Sequence, residues 1–402
     1  MHRSSAVLLR MRTLEVLLLP VVLGTAFSAF AKAQEQAPSV AGAPSTQVAA
    51  QQPVHLVAKE MWVQAPGAFP NGLDSLEVYI DRPGRHPLVV LTHGTSDKPE
   101  ERAHVTPWAQ LSQAEWFARR GYVAIVVVRR GYGRSGGQQD STKGGCGIRG
   151  SFEEAGEASA DDLRAVMAFA QSLPEVDGST MLSVGVSTGG FAQAALSADP
   201  PKVLKAAISF AGGRGGDGHE HNCNLSGVID AFHGFGKEAH KHGDLPMLWI
   251  YSENDHWFPP AMAQQFDAAY KTGGGVNQFL MVPPDGEDGH HLYMHVAAWS
   301  DAVNTFLKAQ NLLPLGDTVL PAPDPPNLPM PADLGDKDKE MWRRFLLAPP
   351  YKALAVNERG ELALFAAGFD QSLADSGALD RCKKAPGGSK HCSIVARTPG
   401  AQ

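Results

Sequence analysis

Between residues 53 and 312 the chain alternates short apolar runs with longer amphipathic stretches. Val54–Val63 and Leu76–Ile80 predict strands. Leu88–Thr92 and Tyr122–Val128 are continuous apolar runs, the pattern of parallel strands buried on both faces. Further strands are predicted at Met181–Val186, Lys205–Phe210, Met247–Tyr251 and Phe279–Val282. Helical spacing falls between them, at Trp108–Arg120, Ala158–Ser172, Phe191–Leu196, Pro260–Tyr270 and Met294–Ala309. Asp161 and Asp162 are expected in the first turn of the second of these, where they would complement the helix dipole. Such alternation predicts a doubly wound, mostly parallel sheet with helices on both faces and right-handed crossovers. In such a sheet ligands bind beyond the carboxyl ends of the strands.

The flanks read differently. Arg3, Arg10 and Arg12 precede a broken apolar run, Val16–Ala29, with small-residue sites ending at Ala31 and Ala33. Residues 1–33 are therefore expected to be a cleaved signal peptide, with an uncleaved anchor as the alternative. Residues 34–52 are polar and aperiodic, a disordered linker by composition. Residues 313–338 are proline-rich and read as a stiff linker without packed structure. Residues 339–402 form a small α+β unit with a strand–turn–strand–helix–strand pattern.

With 402 residues, 43% of them hydrophobic, the chain is long enough for a large buried core. A formal net charge of −7 without a basic stripe argues against nucleic acid as partner. In an exported chain the cysteines Cys146, Cys223, Cys382 and Cys392 suggest two disulfides. Pairing within each predicted unit favours Cys146–Cys223 and Cys382–Cys392; free buried thiols are the alternative.

The candidate chemistry lies just past the predicted strand ends. Gly185-Val186-Ser187-Thr188-Gly189-Gly190 follows one strand and opens a helix. A serine on so tight a turn presents its hydroxyl, and the N–H of Thr188 at the helix start is placed to stabilise an oxyanion. A helix-capping serine is the plain alternative. After Met247–Tyr251 comes Ser252-Glu253-Asn254-Asp255-His256, where Asp255 is preferred over Glu253 as an orienting acid. After Phe279–Val282, Gly289-His290-His291 offers a base. His290 is favoured because it directly follows Gly289, with His291 as fallback. Leu91-Thr92-His93-Gly94-Thr95 ends another strand, and Thr95 N–H is the candidate second oxyanion donor. Arg130–Gly136 is expected to shape the pocket.

Together these elements resemble the α/β-hydrolase superfamily over 53–312, and within it the exported serine hydrolases grouped with the dienelactone hydrolase-like family. The resemblance implies the α/β-hydrolase fold, with Ser187 as nucleophile, Asp255 as acid and His290 as base. It also implies an ester or related acyl substrate of small-molecule size. Dienelactone hydrolases proper carry a cysteine nucleophile; Ser187 here favours an esterase or a peptidase of the same fold. A non-catalytic envelope binding protein is a third possibility. No cofactor, no metal and no membrane segment in the mature chain are expected, and the compartment is periplasmic or extracellular. Residues 212–244, with His219, His221, His233, His240 and His242, read as a glycine-rich lid. The tail is similar to small disulfide-bearing domains of exported bacterial proteins and reads as an accessory.

Overall fold

In strand β3, His86–Thr92, Leu88 and Val90 face one core while Val89 and Leu91 face another. In β4, Val123–Val127, Val123, Ile125 and Val127 divide from Ala124 and Val126 in the same way. Period-two alternation with both sets apolar is what a sheet covered on two faces requires. The computed structural model describes residues 55–96, 98–140, 151–323, 327–366, 370–384 and 391–398. The expected signal peptide, its linker and Cys146 lie outside them.

Strands β1 (Leu56–Val63) and β2 (Leu73–Ile80) form an antiparallel pair, and β2 is antiparallel to β4. Strands β5 (Val176–Val186), β6 (Leu204–Phe210), β7 (Met247–Ser252) and β8 (Gln278–Val282) continue in parallel from β3. The eight strands lie in the order β1-β2-β4-β3-β5-β6-β7-β8, which is the α/β-hydrolase fold.

Helix α1 is a single turn, Pro99–Arg102; α2 spans Leu111–Ala118 after a 3-10 turn at Pro107–Gln110. Helices α3 (Ser151–Ala170), α4 (Thr188–Ala198), α5 (Leu225–His242) and α6 (Pro260–Thr272) pack on one face. Helices α2 and α7 (Val296–Ala309) pack on the other, where Trp116, Phe210, Tyr293 and Trp299 form an aromatic cluster.

Three expectations change. Helix α3 begins at Ser151, so its first-turn acids are Glu153 and Glu154. Asp162 sits mid-helix, buried against the backbone and guanidinium of Arg130. The expected lid at 212–244 contains α5, whose Val228, Ala231, Phe232, Phe235 and Ala239 are buried. At about 1.5–3 kcal/mol per large buried side chain, lifting α5 would cost more than a mobile flap can bear, so it is core wall. Third, the stretch after α7 packs: Leu312, Leu313 and Leu320 lie against the core, and Leu320 N–H donates to Arg119 O at 2.8 Å.

The C-terminal unit has α8 (Lys339–Leu347), then β9 (Lys352–Asn357) between β10 (Leu362–Ala366) and β11 (Cys392–Arg397), all antiparallel. Helix α9 (Gln371–Lys383) buries Ala374, Ala378 and Cys382 against this sheet. Cys382 is bonded to Cys392 as expected, and Cys223 is also disulfide-bonded.

Candidate active site

Strand β5 delivers Ser187 to the carboxyl edge of the sheet, and α4 starts at the next residue. Ser187 has φ 56° and ψ −120°, a positive φ that a non-glycine residue rarely adopts. The kink is held by Ser187 N–H donating to Phe210 O at 2.9 Å and by Gly213 N–H donating to Ser187 O at 3.2 Å. It also needs Gly185, because a Cβ there would lie 2.1 Å from Gly189 O. Across the turn, a Cβ on Gly94 would lie 2.9 Å from the Ser187 Cβ, so the β3 loop can close onto the serine only with glycine at that position.

Asp255 follows β7 and is buried; Glu253, the alternative, is exposed. Both Asp255 carboxylate oxygens lie 3.1 Å from His290 Nδ1. Asp255 Oδ1 also accepts the N–H groups of Trp257 and Phe258, each at 2.8 Å. A carboxylate held by these backbone donors fixes the imidazole's orientation. His290 lies in a 3-10 turn, Gly289–Met294, capped by Asp288, whose side chain accepts His290 N–H at 2.9 Å. Its ring stacks on Trp257 at 5.3 Å and meets Phe258 edge-on at 5.4 Å. With Nδ1 on Asp255, the Nε2 of His290 is left to face the pocket. His291 is exposed at the rim, His256 gives its backbone N–H to Asp288, and His295 pairs with Asp285.

Ser187 and His290 line one pocket of about 380 Å³. Val186, Trp257, Tyr293 and Met294 give it apolar walls, Gly94 and Thr95 border the serine, and Lys98 and Glu101 stand at its charged rim. The structure thus brings together Ser187, His290, Asp255, Thr188 and Thr95, the residues singled out by the sequence.

Other residues at this site are invisible to the motifs. Arg129, after β4, is fully buried. It donates from Nη2 to Thr188 Oγ1 at 2.9 Å, from Nη1 to Thr92 Oγ1 at 3.0 Å and from Nε to Asp140 Oδ2 at 3.3 Å. Asp140 also receives Arg214 at 2.8 Å, the Tyr132 hydroxyl at 2.8 Å and Ser159. Burial alone would raise its pKa; Arg214 and Arg129 then hold it well below the usual carboxylate range. His93 accepts Arg129 N–H at Nε2 (3.0 Å) and therefore donates from Nδ1 to Gly94 O at 2.5 Å. Desolvation and the nearby Arg129 push its pKa down to about 3, so His93 stays neutral and braces the loop. The one signal for this cluster was the run Arg129-Arg130 directly after an apolar strand, too many charges for a buried edge unless partnered.

Among the described residues no cluster of three or more His, Cys, Asp or Glu could hold a metal, and no helix is long and apolar enough to cross a membrane.

Residues 71–236 match the family model for the X-Pro dipeptidyl-peptidases of family S15. This is less than half of the chain; it includes Ser187 and stops short of Asp255 and His290. A Klebsiella pneumoniae structure assigned as a dienelactone hydrolase is similar, with 17% identity over 64% of this chain and 99% of that one, at a TM-score of 0.43. The Pyrococcus furiosus esterase Pf2001 is similar at 17% identity over 63% of this chain and 93% of its own, at a TM-score of 0.44. The Pyrococcus horikoshii acylaminoacyl peptidase is similar at 16% identity over 63% of this chain and 41% of its own, at a TM-score of 0.43. No curated protein matches the chain. By its strand order and the S15 match the chain is a hydrolase of the α/β-hydrolase fold.

Proposed function

We propose that this protein is an exported serine hydrolase that cleaves a carboxylic ester or a related acyl bond through Ser187, His290 and Asp255. The observation that carries the reading is Ser187 on a strained turn, sharing one pocket with a histidine whose Nδ1 is held by a buried carboxylate. His290 Nε2 takes the proton as Ser187 Oγ attacks the carbonyl carbon. Asp255 holds the tautomer and stabilises the imidazolium. The N–H groups of Thr188 and Thr95 receive the charge that develops on the carbonyl oxygen. The imidazolium then protonates the leaving group, and water, deprotonated by the same histidine, releases the acyl group.

The apolar walls suit a small hydrophobic acyl group, and a volume of about 380 Å³ fits a small-molecule substrate. The second reading, a peptidase of the same fold, is favoured by the S15 match. A peptidase acting on a free N-terminus needs a carboxylate for the ammonium. Glu101, on the pocket rim, accepts from Ser96 and Lys98, which weighs towards the ester. Export is supported by the signal-like N-terminal sequence and by the Cys382–Cys392 disulfide. On this reading residues 53–312 form the catalytic domain and 339–402 an accessory unit.

The test is fluorophosphonate labelling of the purified protein, followed by p-nitrophenyl esters and aminoacyl p-nitroanilides. Labelling and ester turnover should both vanish in Ser187→Ala. Labelling that survives the substitution overturns the assignment of the nucleophile. Anilides cleaved faster than esters would establish the peptidase instead. A folded wild type that neither labels nor turns over any substrate would favour a binding protein.

A further inference from the structure

Five hydrogen bonds behind the elbow form a closed circuit. Tyr132 OH lies 2.8 Å from Asp140 Oδ1 and 2.8 Å from Thr95 Oγ1. Thr95 Oγ1 lies 2.8 Å from Thr188 Oγ1, which receives Arg129 Nη2 at 2.9 Å. Arg129 Nε returns to Asp140 at 3.3 Å. Each hydroxyl has one proton to give, and an ionised carboxylate only accepts. Tyr132 must therefore donate to Asp140, Thr95 to Tyr132, and Thr188 to Thr95, leaving Thr188 to accept from Arg129. The direction of every proton is fixed by the ion pair at the two ends. Asp140 holds its charge because two guanidiniums keep it below the usual carboxylate range despite its burial, while burial and Asp140 raise the Tyr132 phenol and keep it a donor.

The bridge in this circuit joins Thr95, on the loop after β3, to Thr188, the first residue of α4. These are the two residues whose backbone N–H groups serve the oxyanion in the function proposed above, and the inference rests on that reading. Loop and helix are distant in sequence and carry no covalent tie. Without the bridge, the separation of the two N–H groups would vary with the loop. An oxyanion hole works by being set before charge develops, and a misplacement of about 1 Å is costly.

We infer that the Thr95–Thr188 hydroxyl bridge sets the spacing of the oxyanion hole, with Arg129, Tyr132 and Asp140 as positioning residues. The ring also leaves two guanidiniums, of Arg129 and Arg214, facing one carboxylate behind the site where negative charge forms. The four bonds that run in one direction from Arg129 through Thr188, Thr95 and Tyr132 to Asp140 strengthen one another.

The test is steady-state kinetics on p-nitrophenyl butyrate for Thr95→Val, Thr188→Val, Tyr132→Phe and the double Val variant, with thermal melts alongside. Each single variant should lower kcat about 10–100-fold, less than outright removal of a donor, with KM within about twofold. Thr95→Ser, which keeps the hydroxyl, should recover most of the rate lost in Thr95→Val. The double Val variant should be no slower than the slower single, because one break opens the ring. If Thr95→Val does not fold, Tyr132→Phe breaks the same circuit one link away. Folded variants with lowered melting temperature and wild-type kcat overturn the inference while wild-type labelling at Ser187 keeps the hydrolase reading. Wild-type protein that neither labels nor hydrolyses the ester overturns both.

Discussion

Two of the carboxyl groups buried in the same domain end in opposite states. Asp140, behind the elbow, faces Arg129 and Arg214 and accepts two hydroxyls, so it stays ionised. Glu77, on β2, is equally hidden, but its neighbour is another carboxyl, Glu175. Desolvation first, and then the charge of nearby Glu175, raise Glu77 to about 8. The lesson is that depth does not decide charge; the partners do. Behind Ser187 the chain supplies surplus cations. Beside Glu77 it supplies a second carboxyl instead.

Substituting each buried carboxyl by its amide would sharpen the contrast. The largest effect belongs to a third one, Asp255. Asp255→Asn keeps the shape but removes the charge and offers the wrong donor to His290 Nδ1. We expect kcat on the ester to fall on the order of 10³–10⁴-fold with little change in melting temperature. A loss below tenfold would remove Asp255 from the mechanism. Next, Asp140→Asn strands two buried guanidiniums. Breaking a buried pair typically costs about 3–5 kcal/mol, measurable by urea unfolding. A loss under 1 kcal/mol would show that Arg129 and Arg214 are solvated in solution.

A third effect, read as a slope against pH, is that of Glu77→Gln. A carboxyl whose folded pKa lies above its unfolded value binds an extra proton in the folded state. Its stabilising contribution is complete below about 4.5 and is lost as pH rises towards about 8. Between those limits wild-type stability should decline by at most about 1.4 kcal/mol per pH unit from this group. Glu77→Gln, neutral throughout, should flatten that slope, so that its melting temperature exceeds wild type near pH 8. Parallel stability curves for the two proteins would contradict the raised pKa of Glu77.

The fold was legible because its strands are unmixed apolar runs such as Leu88–Thr92, and the candidate site could be read because Ser187, Asp255 and His290 each follow one. His290 could be preferred over His291 from its glycine alone, and the structure separates them by burial. What escaped has identifiable causes. Helix α5 carries Val228, Ala231, Phe232, Phe235 and Ala239 at helical spacing, but glycines and histidines between them masked the stripe. The start of α3 was hidden by the exposed Glu153 and Glu154, which interrupt the apolar pattern, and by Gly156, a weak helix former that packs against Phe235 and Phe191. The ring was illegible because Asp140 meets Arg214 74 residues away, and Thr95 meets Thr188 93 residues away. Proximity of that kind is a property of topology and leaves no local pattern.

The stretch after α7 bears on anyone making a shorter version of this protein. Composition suggests ending the catalytic part at residue 312. Yet Tyr122 hydroxyl binds Leu312 O, Arg119 and Leu320 exchange two hydrogen bonds, and Leu313 and Leu320 cover the Trp116–Trp299 side of the core. A cut at 312 would uncover apolar surface and invite self-association. A recombinant boundary beyond Leu320 would keep the covering strap with the domain it seals.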